Sequence, residues 1–202
     1  YPAEAADAEF LISESNSVAV QTLKRWGAWP VMAALLVGPR KSGRSLLARI
    51  FAAQSGGRII DDAERNDETA LFHAWNAAQA ERKPLLLVAD AAPPGWQIAL
   101  PDLRSRLVAT PLLEIGAPDD ALMHALLMRD FARRGLDARP DLLQWLLARV
   151  ERSYVAIGRV VDLLDQEVGH SRKRLSIPLA RGTLAAAGLI VDRGSTTGIE
   201  AA

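Results

Sequence analysis

The stretch that decides the fold is a short turn between an apolar segment and a helical one. It reads Gly38-Pro39-Arg40-Lys41-Ser42-Gly43-Arg44-Ser45. Just before it, residues 33–37 are continuously apolar with turn residues on both sides, which predicts a strand buried on both faces. Just after it, residues 46–54 show helical periodicity. A strand, a turn of small and basic residues and a helix form the context in which backbone N–H groups bind phosphate.

The spacing of this turn matches the motif G-x-x-x-x-G-K-[ST] with one substitution. Arg44 stands in place of the lysine, and its guanidinium is bulkier than an ammonium although it can donate two hydrogen bonds to phosphate. Ser45 keeps the hydroxyl that would reach Mg²⁺. We therefore interpret all eight residues as a nucleotide-binding P-loop. A plain basic turn is the alternative, and the motif leaves open whether nucleotide is bound tightly.

Apolar and helical segments alternate through the first part of the chain. The predicted strands cover residues 33–37, 58–60, 85–89 and 110–115. This alternation predicts a parallel sheet with crossover helices, and hence an α/β fold. After Gly116 the pattern is helical only, with helices at about 119–134, 141–149, 153–168 and 177–187. We expect a P-loop α/β subdomain over 1–116, a small all-helical subdomain over 117–190 and a disordered tail over 191–202.

Acidic residues stand where two of the predicted strands end. Asp61 and Asp62 follow the second strand, and Asp90 ends the third. In P-loop enzymes the first position places a carboxylate near Mg²⁺ and the next one near the attacking water. We expect Asp61 to bind Mg²⁺ together with Ser45, and Asp62 and Asp90 to serve catalysis beside the γ-phosphate. The alternative is that all three are ordinary turn-forming acids at strand ends.

Two cations follow the loop after the third strand. Residues 103–107 read Leu103-Arg104-Ser105-Arg106-Leu107. An arginine supplied to a nucleotide held by a neighbouring molecule acts as an arginine finger. A solvated helix face is the alternative for either arginine.

The composition excludes several classes of protein. Lys+Arg and Asp+Glu both number 24, so the chain lacks the basic excess of a dedicated nucleic-acid binder. There is no cysteine, and three isolated histidines lack the spacing of a metal site. No apolar run reaches the roughly 18–20 residues of a membrane span. Residues 1–9 do not read as a signal peptide, so we expect a cytoplasmic protein.

Together these segments resemble the AAA+ domain of the DnaA/Hda family, over about residues 9–187. Residues 10–16 resemble the segment that passes near the adenine, and the loop and acidic pair resemble the two nucleotide motifs. Residues 89–94 resemble the segment called sensor 1. The most specific match is Leu100-Pro101-Asp102-Leu103-Arg104-Ser105-Arg106-Leu107, which resembles the box that carries the arginine finger, at Arg106.

The chain also departs from the family pattern. The sensor 2 arginine should fall near Val155, where the sequence has no charge. Residues 46–57 are too few for the second strand and its helix that the family has, so we expect a sheet trimmed at one edge. We expect no DNA-binding domain after the helical part, and hence no sequence-specific DNA binding.

The resemblance implies a regulator of replication initiation that binds ADP or ATP with Mg²⁺. Such a regulator acts with the sliding clamp, through a segment expected upstream of Tyr1, and presents Arg106 to ATP held by DnaA. Residues 97–101 look superficially like a clamp-binding peptide, but a packed loop is the stronger interpretation because clamp ligands are free and extended. A self-associating chain is also compatible. The alternatives are an adaptor that no longer binds nucleotide, and an independent ATPase dependent on Asp62.

Overall fold

The structure is a computed structural model that describes residues 10–190. It divides into two compact units, the first ending at Asp119 and the second beginning at Asp120. The sequence pattern had put the change at residues 116 and 117. The disordered tail predicted over 191–202 falls outside the described residues. So do residues 1–9, which the sequence predicts not to be a signal peptide.

The first unit is built on a four-stranded parallel sheet. Its strands are β1 (Ala33–Val37), β2 (Arg58–Ile60), β3 (Leu85–Ala89) and β4 (Leu112–Glu114), in the order β2-β3-β1-β4. The two central strands are buried at every residue, as their continuous apolar sequences require. The outer strands are short and partly exposed, and β4 is shorter than predicted.

Helices cover this sheet and connect its strands. They are α1 (Ser17–Lys24), α2 (Arg44–Ser55), α3 (Glu68–Glu81) and α4 (Pro101–Val108), with 3-10 turns at Trp26–Ala28 and Ala63–Arg65. The Asp67 carboxylate begins α3 by accepting a hydrogen bond of 2.8 Å from the Ala70 N–H. A proline occupies the first turn of α4, where its missing N–H costs little.

The sheet is trimmed at one edge, as the sequence predicted. α2 takes up nearly all the residues between β1 and β2, so no further strand can form there. β2, which is followed directly by Asp61 and Asp62, is therefore the strand at this edge of the sheet. The α/β fold class is confirmed.

One face of the sheet packs on α3 and α4. Alternate residues of the central strands, such as Leu35 and Leu87, point to this face because side chains alternate along a strand. They contact Leu71 of α3, Leu103 of α4 and Trp96 in the preceding loop, all buried. Burial of this cluster fixes the position of α4, and with it that of Arg106, relative to α3.

The second unit is all-helical. Its helices are α5 (Asp120–Arg133), α6 (Pro140–Leu147), α7 (Tyr154–Ser171) and α8 (Ile177–Ala186), each within a few residues of its predicted range. Buried leucines and Phe131 of α5 form its core together with α7. The Ser153 hydroxyl begins α7 by accepting from the Ala156 N–H at 3.1 Å. No helix within residues 10–190 is both long and apolar enough to cross a membrane.

Candidate functional site

The loop between β1 and α2 has the backbone of a phosphate cradle. A Cβ at Gly38 would collide with the Ile115 carbonyl oxygen, so only glycine fits this close approach. Gly43, at φ +96°, turns the chain into α2 without a side-chain cap. The first N–H groups of α2 therefore have no intrahelical acceptor and point out of the helix end.

A buried hydroxyl lies in this loop. Ser42 is 4% exposed, and its Oγ has no hydrogen-bond partner among the described residues. A buried polar atom without a partner is costly unless something else satisfies it. The unsatisfied hydroxyl and the free helix end suit an anion with several acceptor oxygens, so the loop fits a phosphate group.

Arg44, in the lysine position of the motif, is engaged by the protein itself. Its side chain is 8% exposed. Nη1 donates to the Ala89 carbonyl at the end of β3, and Nη2 donates to the Asp90 carboxylate at 2.7 Å. The forked guanidinium makes both bonds at once, which a lysine ammonium cannot do with the same planar geometry.

A second guanidinium meets the same carboxylate. Arg40 donates from Nε and Nη2 to Asp90 Oδ2, at 2.9 and 2.7 Å, and Nη2 lies 3.4 Å from Asp62 Oδ1. Hydrogen bonding by Arg44, with help from Arg40, lowers the pKa of Asp90 below its ordinary 3.8, although partial burial opposes this. The hydrogen bond to Asp90 raises the pKa of Arg40 in turn. Two cations of the loop are thus neutralised internally.

Glu64 joins this cluster and was missed from the sequence. Carboxylate oxygens of Asp62, Glu64 and Asp90 all lie within 4.8 Å of one another. Glu64 Oε1 accepts from the Asp90 N–H at 3.1 Å. The only sequence signal for Glu64 is that it stands two residues after the acidic pair. Its side chain reaches the cluster because the backbone takes a left-handed turn at Asp62, at φ +48°.

Of the acidic pair, Asp62 contacts the loop and Asp61 does not contribute to the cluster. Asp61 is exposed, and its Oδ1 accepts from the Asp62 N–H at 3.0 Å. The left-handed turn directs the second carboxylate, rather than the first, toward Arg40. The structure thus brings Asp62, rather than Asp61, to the loop, where it lies beside Arg40. Ser45 is half-buried on the first turn of α2.

Arg106 lies away from this loop, against α3. Its Cζ is 4.4 Å from the Phe72 ring centroid and 5.4 Å from the Trp75 ring. Nε donates to Asn76 Oδ1 and Nη1 to the Asp102 carbonyl, both at 3.1 Å. The neighbouring Arg104 instead holds its own loop by donating to the Ile98 carbonyl. The two cations of this box therefore make different contacts.

The segment that looked like a clamp-binding peptide is part of the packed loop. Ile98 is 4% exposed. Glu68 at the start of α3 accepts from the N–H groups of Ala99 and Leu100, at 2.9 and 2.6 Å. These contacts leave no free extended peptide at residues 97–101.

The sensor 2 position carries no cation in the helical unit. Val155 lies in the first turn of α7 and is 53% exposed. Arg152 forms an ion pair with Asp120 at 2.5 Å, at the start of α5. Its charge is therefore committed within the same unit.

Comparison with known proteins matches the helical unit to a protein family. Residues 119–184 match the family model of the Hda lid domain. An uncharacterized protein of Haemophilus influenzae is 29% identical over 131 residues, which are 62% of this chain and 57% of that protein. The chain thus spans little more than half the length of this relative.

The fold matches solved structures of replication initiators. Domain III of the Thermotoga maritima initiation protein DnaA superposes with a TM-score of 0.76 over 91% of this chain and 96% of that one, at 14% identity. AMPPCP-bound DnaA from Aquifex aeolicus superposes at 0.65 over 80% of this chain and 65% of that one, at 17% identity. At such identities the likeness establishes the AAA+ fold.

Proposed function

We propose that this chain, which has the fold of DnaA domain III and a helical unit that matches the Hda lid family, regulates replication initiation. In this proposal it acts with the sliding clamp and presents Arg106 to ATP held by DnaA, which promotes hydrolysis in trans. The observation that carries the proposal is a contrast between two cationic sites. Arg106 is held on an outer helix, while Arg40 and Arg44 at the chain's own loop are paired with Asp90.

This contrast decides which cations can stabilise the negative charge of the phosphoryl-transfer transition state. Phosphoryl transfer is accelerated chiefly by cations that are aimed at the charge on the transferring group. At the chain's own loop, a phosphate must compete with Asp90 for both guanidinium groups. Arg106 has no carboxylate within ion-pair distance among residues 10–190, so its charge is available to a partner's nucleotide.

We propose ADP or ATP with Mg²⁺ as the cofactor of the loop. The helix end, the Ser42 hydroxyl and the Gly43 turn fit the phosphates. Asp62, whose carboxylate lies within 4.8 Å of those of Glu64 and Asp90, would hold the metal ion, with Ser45 supplying a hydroxyl from the first turn of α2. AMPPCP in the Aquifex aeolicus DnaA supports this assignment by analogy.

The test replaces Arg106 by alanine and measures ATP hydrolysis by DnaA in a reaction with clamp and DNA. We expect stimulation to fall about 10³-fold, the scale of a lost arginine finger. Arg49→Ala removes an exposed arginine from α2 and is the matched control, with stimulation expected at the unmodified level. Unchanged stimulation by Arg106→Ala contradicts the proposal.

A second candidate is an adaptor that does not bind nucleotide. The pairing of Arg44 and Arg40 with Asp90 favours it, because it removes the positive charge that phosphate binding needs. Calorimetry with ADP and ATP separates the two candidates. Absence of binding heat at millimolar nucleotide supports the adaptor.

A further inference from the structure

Side chains from the neighbouring helix α3 hold the guanidinium of Arg106 in one orientation. We propose that Asn76 and Phe72 of α3 are positioning residues that aim Arg106 at the nucleotide of a partner molecule. This inference rests on the proposed function of Arg106 as a finger in trans. It assigns to α3 a role beyond packing on the sheet.

The hydrogen bonds of Arg106 use two of the three nitrogens of its guanidinium. Nε is committed to Asn76 Oδ1, and Nη1 to the Asp102 carbonyl, each at 3.1 Å. Nη2 has no acceptor among residues 10–190. The guanidinium therefore has a defined orientation, and Nη2 is the nitrogen that remains to donate to a phosphate oxygen.

Aromatic rings fix the plane of the group. The Phe72 ring centroid lies 4.4 Å from Cζ, and the Trp75 ring lies at 5.4 Å. Both rings attract the cation through their faces, and neither competes for its N–H groups. A carboxylate in their place would have neutralised the charge, as Asp90 does for Arg44.

The Trp75 ring is itself anchored just beyond the end of α4. The Trp75 indole N–H donates to Thr110 Oγ1 at 3.1 Å, and the Thr110 hydroxyl donates to the Arg106 carbonyl at 2.8 Å. Backbone and side chain of Arg106 are thus tied to the same turn of α3. Such a preorganised cation loses little conformational entropy when it meets a transferring phosphate.

The experiment compares Asn76→Ala and Phe72→Leu with Arg106→Ala in the DnaA hydrolysis assay with clamp and DNA. The maximal stimulated rate and the concentration of this chain that gives half of it are measured separately. Misplacement of a catalytic group by about 1 Å costs up to about 100-fold in rate. We expect each positioning variant to lower the maximal rate about tenfold or more, with the half-maximal concentration unchanged.

Controls separate positioning from folding. Glu81→Gln changes an exposed residue of the same helix and should leave both quantities unaltered. Nitrogen-15 relaxation of the Arg106 Nε–H in the full chain reports mobility directly, and Asn76→Ala should raise it. Adding Asn76→Ala to Arg106→Ala should cause no further loss, since the finger is already absent.

The outcomes distinguish this inference from the function on which it rests. If Arg106→Ala abolishes stimulation while Asn76→Ala and Phe72→Leu keep the full maximal rate, the positioning role is wrong and the proposed function stands. A loss confined to the half-maximal concentration also overturns positioning. If Arg106→Ala itself has no effect, the proposed function fails and the positioning role fails with it.

Discussion

At the scale of single residues, the affinity of the loop for phosphate depends on the hydrogen bonds that the Arg44 guanidinium makes within the protein. Its two donors satisfy the Ala89 carbonyl and Asp90. Asp90 in turn accepts from Arg40, so one carboxylate occupies both guanidinium groups. This arrangement stabilises the loop without nucleotide and weakens the attraction that a phosphate meets there.

Arg44→Lys should strengthen nucleotide binding. A lysine ammonium cannot make the planar two-pronged contact to Ala89 and Asp90, so it is freer to turn toward phosphate. We expect an affinity gain of about tenfold for ADP, equivalent to about 1.4 kcal/mol. Calorimetry measures it, with Arg49→Lys on the exposed side of α2 as control. Equal or weaker binding by Arg44→Lys shows that Arg44 already serves the phosphate.

Because of Asp90, the free energy of unfolding should fall as the pH is lowered into the acid range. The hydrogen bond from Arg44, then that from Arg40, lowers the pKa of Asp90 below its ordinary 3.8. A depressed pKa contributes stability that is present above about pH 4 and lost as the pH falls through the lower folded value. The contribution is about 1 kcal/mol, because Asp90 is 41% exposed and solvent screens it.

Urea unfolding at pH 6 and pH 3 measures this contribution. Asp90→Asn should be less stable than the unmodified chain at pH 6, and the difference should shrink at pH 3. Asp61→Asn is the matched control, since Asp61 contacts neither arginine. A stability difference that is the same at both pH values contradicts the account.

At the scale of elements, helix starts are set by specific side chains. The Ser153 hydroxyl is 2% exposed and accepts from the Ala156 N–H, whereas Ser176 begins α8 without a side-chain cap. Ser153→Ala should therefore lower the free energy of unfolding by about 1 kcal/mol. Ser176→Ala should change it by less than about 0.5 kcal/mol. Thermal or urea unfolding measures both, and equal effects would show that the cap contributes nothing.

The sequence predicted elements whose pattern is local. Residues 33–37 and 85–89 are continuous apolar runs bounded by turns, and both are central strands. Helix α4 (Pro101–Val108) was not assigned as an element, because eight residues with cations among the apolar positions give little periodicity. Its place is set by burial of Leu103 and Leu107 under α3, which is a tertiary effect.

The site was predicted in outline and differs in detail. Motif spacing predicted that the loop, Asp62 and Asp90 lie together, because strand ends meet at one edge of a parallel sheet, and Arg40 of the loop contacts both carboxylates. Their roles in binding and catalysis stay predictions. The pairing of Arg44 with Asp90, and the approach of Asn76 to Arg106, join residues far apart in the chain, so no local pattern reveals them. Glu64 entered the cluster through a left-handed backbone turn at a non-glycine residue, which sequence does not indicate.

At the scale of the whole molecule, the two units carry different features. The α/β unit carries the loop and Arg106, and the helical unit matches the family model of the Hda lid domain. In the first unit, Arg40 and Arg44 of the loop are paired with Asp90, whereas Arg106 on the outer helix has no carboxylate within ion-pair distance among residues 10–190. We therefore propose that the catalytic contribution of this chain is made to another molecule.

The most direct measurement is single-turnover hydrolysis of ATP preloaded on DnaA, with clamp and DNA, by two variants of this chain in parallel. Arg106→Ala removes the finger, and Asp62→Asn impairs only the chain's own acidic cluster. The account predicts a loss of about 10³-fold with Arg106→Ala and a rate within about twofold of the unmodified chain with Asp62→Asn. Full activity of Arg106→Ala together with loss by Asp62→Asn would contradict it, since hydrolysis would then depend on the chain's own site.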